Sequence, residues 1–97
     1  MRRGTSPTLK LITNQDWTGY EVIATIEEEK NGIELNFTGD RLTIDGQTVY
    51  LTLTQEETLS LKANRVQVQL KGKKDNNVIA TDIYKIPVLP ILNEEVM

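Results

Sequence analysis

Apolar side chains fall at every second position through segment after segment of this 97-residue chain, and turn-forming pairs break the alternation at short intervals. A period of two is that of a pleated strand, so each segment offers one face to a core and the other to water. Thr8 to Thr13 places Leu9 and Leu11 together, and Asn14, Gln15 and Asp16 then read as a turn. Tyr20 to Glu28 sets Tyr20, Val22, Ala24 and Ile26 against Glu21, Ile23, Thr25 and Glu27. Asn31-Gly32 tolerates positive φ at both centres of a tight hairpin, which predicts an antiparallel return through Ile33, Leu35 and Phe37. Asp45-Gly46 is a second hairpin signal, between a short strand with Leu42 and Ile44 and one with Val49, Leu51 and Leu53.

The single helical signal is Thr54-Gln55-Glu56-Glu57, where the threonine caps backbone N–H groups and the glutamate three residues on caps in return. It predicts a helix of one or two turns, from Gln55 to about Leu61, crossing between sheets. Val66, Val68 and Leu70 then alternate with Arg65, Gln67, Gln69 and Lys71, and Asp75, Asn76 and Asn77 turn the chain. A last long strand is predicted from Val78 to about Ile86, stopped by Pro87, which cannot donate to a ladder. About seven short strands with one short helical turn predict an all-β fold, an immunoglobulin-like antiparallel β-sandwich, with a small open barrel as the alternative. Residues 1–97 suffice for one domain, which at this size buries roughly 65% of the extended chain's surface. With five aromatic residues in the chain, Val, Ile and Leu must supply most of the core.

Composition excludes several chemistries. The chain has no cysteine, which removes disulfides, thiolate metal sites and cysteine nucleophiles, and no histidine, which removes the usual general base and the commonest nitrogen ligand. A formal charge of −3 disfavours a non-specific grip on nucleic acid or an anionic membrane. Arg2 with Arg3, and Lys71, Lys73 and Lys74, read as a solvated terminus and a charged turn flank. The opening residues lack the apolar stretch of a signal peptide, and no run approaches the roughly 18 apolar residues of a membrane span, so a soluble chain is expected.

The remaining candidates are few. Glu27, Glu28, Glu29 and Glu34 crowd the first hairpin, but without the defined oxygen-rich loop of a calcium site they read as a charged hairpin tip. Asp40 and Asp45 flank a short strand as a glycosidase acid and base would, but each sits beside glycine in a turn, where aspartate serves the backbone. Trp17 admits two readings, a plug at one end of the core or a contact for a sugar ring or protein partner. Residues 88–97 also admit two. Val88, Leu89, Ile91 and Leu92, held extended by Pro87 and Pro90, form either an arm for a neighbour's groove or sheet edge, or a cover for the chain's own edge. Leu89, Ile91, Leu92 and Trp17 are therefore the candidate partner-binding residues, and no catalytic, metal-binding or cofactor-binding residue is expected.

Met1-Arg2-Arg3-Gly4-Thr5 with Pro7-Thr8, Thr52-Leu53-Thr54-Gln55-Glu56-Glu57-Thr58-Leu59, Val66-Gln67-Val68-Gln69, and Ile86-Pro87-Val88 with Glu94-Glu95-Val96 carry a resemblance. Together they resemble a family of short proteins of Gram-positive bacterial phages and prophages, over nearly the whole chain. In fold and strand layout the chain also looks, more loosely, like the N-terminal β-domain of phage baseplate upper proteins, a virion attachment module. The resemblance implies a non-enzymatic tail or baseplate component, made in the bacterial cytoplasm and then carried in the virion, and brings no catalytic residues. Its implied partners are other virion proteins or a second copy, with no nucleic acid, membrane or cofactor. Two departures are the tryptophan at position 17, where the family is aliphatic, and the lack of the long helical extension of baseplate upper proteins. The alternative is a carbohydrate-binding or host-surface-binding module, which requires Trp17 and the tyrosines to form an exposed stacking patch.

Overall fold

The computed structural model describes residues 1–28, 30–92 and 96. Eight strands form two antiparallel sheets. The smaller sheet joins β1 (Thr8–Ile12), β5 (Thr48–Thr52) and β4 (Leu42–Asp45), in that order. The larger joins β3 (Ile33–Thr38), β2 (Glu21–Glu28), β6 (Arg65–Lys74) and β7 (Asn77–Ala80), with β8 (Tyr84–Pro87) also paired to β6. The antiparallel sandwich expected from the alternation is thus present. Its strand order is its own, because β2 lies between β3 and β6, where an immunoglobulin constant-type order sets the second strand beside the first.

The alternation places the core. Leu11, Val49, Leu51 and Leu42 line the inner face of the small sheet, while Val22, Ala24, Ile26, Phe37, Val66, Val68 and Leu70 line that of the large one. These buried residues form one cluster, joined by Trp17, Leu53, Leu61 and Val88. Complete burial of a side chain such as Leu51 or Leu61 stabilises the fold by roughly 1.5–3 kcal/mol. The sheets differ in length, since β6 runs for 10 residues and β4 for 4, so one end of the large sheet projects past the small one.

The turns use glycine where the geometry requires it. Asp45 pairs with Thr48, and Gly46 takes a φ of 58° at the first central position of the two-residue loop between them. At the first hairpin, the register pairs Glu28 with Ile33 instead of closing on Asn31-Gly32. Residues 29–32 make a longer turn, and only Gly32 among its described residues has positive φ, at 66°. The helical signal is realised as α1 (Gln55–Ser60), which carries the chain from the small sheet to the large. Thr54 Oγ1 accepts from the Glu57 N–H at 3.2 Å, and Glu57 Oε1 accepts from the Thr54 N–H at 2.8 Å, the reciprocal capping box.

The last long strand predicted from Val78 to Ile86 is broken in two by a bulge. Lys71 pairs with Ala80 and Val68 with Tyr84, so residues 81–83 face only Gln69 and Leu70. One extra residue reverses the facing parity, which is why Ile79 in β7 and Tyr84 and Ile86 in β8 all pack on the core. Thr81 fastens the bulge: its N–H donates to the Leu70 carbonyl at 2.9 Å and its Oγ1 accepts from the Leu70 N–H at 3.1 Å.

Candidate functional site

Trp17 belongs to the interior. It is fully buried, its indole N–H donates to Thr13 Oγ1 at 2.8 Å, and its backbone N–H donates to the Gly46 carbonyl at 2.9 Å. Thr13, itself buried, donates through the same hydroxyl to the Gln47 carbonyl at 2.9 Å. Tyr20 meets the indole edge-on, with ring centroids 5.9 Å apart. The side chain has no exposed surface, which corrects its candidacy as a partner-binding residue. Every polar and apolar part of the indole is satisfied from inside.

The C-terminal segment follows its own domain as far as the described residues extend. The Met1 ammonium donates to the Pro87 carbonyl at 2.8 Å, the Leu89 N–H to the Met1 carbonyl at 2.6 Å, and the Arg3 N–H to the Leu89 carbonyl at 2.9 Å. Arg2 and Leu89 thereby form a parallel bridge, and an Arg2 guanidinium N–H reaches the Pro90 carbonyl at 2.7 Å. Val88 is buried in the core, so an arm beginning at residue 88 is corrected to a docked segment. Ile91 is half-buried against Gly4, Leu89 is half-exposed, and Leu92 projects fully into solvent. Of the four candidate residues, Leu89, Ile91 and Leu92 are brought together at one end of the molecule, and Trp17 is apart from them. Glu94 and Glu95 lie outside the described residues.

A second surface was not anticipated from sequence. Where the large sheet projects past the small one, a cleft of about 660 Å³ opens between Tyr20, Val22, Leu42, Ile44, Gly72 and Val78. Lys71, Lys73 and Glu21 also line it, and the Lys74 ammonium lies 5.6 Å above the Tyr20 ring. Ile44 and Val78 keep 37% and 52% of their surface exposed, an apolar lining left to water. Its one sequence signal is the mismatch between the short Leu42–Ile44 strand and the long run ending at Lys74. The outer edge of β4 has no strand paired to it.

The carboxylates do not assemble a centre. The pleat sends Glu27 and Glu34, paired across the hairpin, to the exposed face, and turns Glu28 inward to complete burial. Glu28 accepts from the Asn31 side-chain amide and, at 2.7 Å, from the Lys62 N–H, so it pins the turn after α1 to the first hairpin. That corrects the reading of Glu28 as part of a solvated hairpin tip, while Glu29 lies outside the described residues. Asp40 and Asp45 are exposed turn residues, and no group of three metal-ligating side chains occurs among the described residues. Arg41 pairs with Glu57 at 2.6 Å, donates to the Thr52 carbonyl at 3.1 Å and lies over the Phe37 ring at 4.8 Å. Burial pushes the Glu57 carboxyl up, but the Arg41 and Thr54 hydrogen bonds outweigh it and hold the carboxyl below its ordinary value. Among the described residues, no helix is long and apolar enough to cross a membrane.

The comparisons with known proteins found no family model and no curated protein that matches the chain.

Proposed function

We propose that the chain is a non-enzymatic phage or prophage structural protein, a tail or baseplate component that acts through protein–protein contacts. The observation that carries this reading is the pair of apolar surfaces at opposite ends of the sandwich, the cleft under β4 and the segment ending in the solvent-exposed Leu92. A lone stable domain gains nothing from leaving either in water, whereas both fit a module whose neighbours cover them. The residue types support the same reading, because a chain without histidine or cysteine is poorly supplied for general-base, nucleophilic or metal chemistry. No observation favours the carbohydrate-binding alternative, whose stacking platform required an exposed Trp17.

Light scattering across a concentration series tests the reading. A mass above the 11.0 kDa of one chain that rises with concentration is expected if copies are each other's neighbours. A constant 11.0 kDa removes self-assembly and leaves other virion proteins as the partners.

A further inference from the structure

We propose that the cleft under β4 receives the C-terminal segment Leu92–Val96 of a second copy of this chain, joining copies head to tail. The inference rests on the assembly reading above and names its contact.

Three observations converge on this occupant. The cleft is apolar at its floor and basic at its rim, with Lys71 and Lys73 in the lining and Lys74 over Tyr20, against the single acidic Glu21. The segment Leu92-Asn93-Glu94-Glu95-Val96 has the complementary make-up, two aliphatic residues bracketing two carboxylates. Both aliphatic residues are exposed, Leu92 completely and Val96 by 54%. As a docked strand, Leu92, Glu94 and Val96 would share one face. The aliphatic side chains then meet Ile44 and Val78 while Glu94 and Glu95 meet the lysines.

The edge geometry supplies the backbone half of the interaction. β4 is paired to β5 on one side only, and Leu42 and Ile44 of β4 line the cleft. An added strand would satisfy the free N–H and C=O groups of that edge, as in strand addition generally.

Distance decides between a chain's own segment and its neighbour's. The cleft sits where Val22 pairs with Gly72, and the C-terminal segment leaves the sheet where Arg65 pairs with Pro87. Roughly 25 Å of strand separates the two ends of β6 at about 3.3 Å per residue. Residues 93–97 reach at most about 18 Å beyond Leu92. Donor and acceptor at opposite ends of one 45 Å long body make a heterologous contact, which propagates into rings or filaments and does not close as a two-fold dimer.

A charge exchange on the full-length chain tests the contact. One variant carries Lys71→Glu with Lys73→Glu, the other Glu94→Lys with Glu95→Lys, and circular dichroism confirms that both fold. Each variant alone is expected to require at least tenfold more protein than the parent to reach the same mass by light scattering. The two mixed in equal amounts should recover the parent's concentration dependence, because each then offers the other an opposite charge. Assembly of the parent that neither variant alters overturns the cleft-and-segment contact and leaves the assembly reading standing. A parent that stays monomeric at every concentration overturns self-pairing itself.

Discussion

The six-membered ring of Trp17 stands in the space that a side chain at position 72 would need. An ideal Cβ built on Gly72 lies 2.6 Å from the indole Cζ3 and 3.0 Å from Cε3. Gly72 is therefore the slot, in the middle of the long strand β6, that lets the largest core residue lie flat on the sheet. An alanine in an open strand position is worth about 0.5–1 kcal/mol over glycine. Here the buried ring must shift to admit it, and overpacking wins.

Gly72→Ala is accordingly expected to lower stability by about 1–3 kcal/mol. Trp17→Ala, which leaves a cavity instead, should cost about 3–5 kcal/mol. Urea unfolding measures both, and a Gly72→Ala midpoint equal to the parent's would show that the ring is not confined as described.

Glu28 offers a second test, because its carboxylate is the acceptor for the Lys62 N–H and the Asn31 amide. Glu28→Ala strands both donors and should destabilise by about 1–3 kcal/mol, more than Glu28→Gln, which keeps one acceptor oxygen. Hydrogen exchange at the Lys62 amide is expected to quicken in Glu28→Ala. Unchanged protection there would contradict the assigned role.

The Arg41–Glu57 pair predicts a pH dependence. Glu57 is held below its ordinary value of 4.5 in the folded chain, so the unfolded chain binds its proton first as the pH falls. The pair's contribution is present in full above that ordinary value and is lost as the pH drops through the lowered folded value. For a partly exposed pair it amounts to a few tenths to about 1 kcal/mol. Thermal melts of the parent and Glu57→Gln should differ near pH 7 and converge under acid, and a gap that widens under acid would refute the assignment.

The bulge at Thr81–Ile83 predicts a length effect. Deleting Asp82 removes the extra residue, so either Ile79 or the pair Tyr84 and Ile86 must turn away from the core. A loss of about 2–4 kcal/mol is expected, against under 1 kcal/mol for Asp82→Ala at the same exposed position. Denaturation of the two variants side by side decides it.

Much of this structure is legible from residue order, because strands and caps are set by near neighbours. The facing of Val22, Ala24 and Ile26, the Asp45-Gly46 turn and the Thr54–Glu57 cap all follow from periods and pairs within a few residues. What is illegible depends on partners far away in sequence. Nothing near Glu28 shows that its acceptor duty lies at Lys62, and nothing near Gly72 shows that Trp17 lies over it. Parity across Val78 to Ile86 looks continuous, since Ile79 and Ile86 can be assigned to opposite faces without conflict until the core is known. The candidate site divides the same way. The aliphatic segment is visible as composition, whereas the cleft exists only because two sheets of unequal length are stacked.

The bridge between Arg2 and Leu89 also bears on how the chain is made. The hydrogen bond from Arg2 to Pro90 joins residues 88 apart in sequence, so the N-terminal residues emerge from the ribosome long before their partners do. At about 5–20 residues per second the wait is roughly 4–18 s. During it β1 lacks β5, and Met1 to Arg3 have no strand to hold them. Translation therefore delivers an almost finished sandwich with its first residues still loose, and the fold is sealed by nearly the last ones to appear.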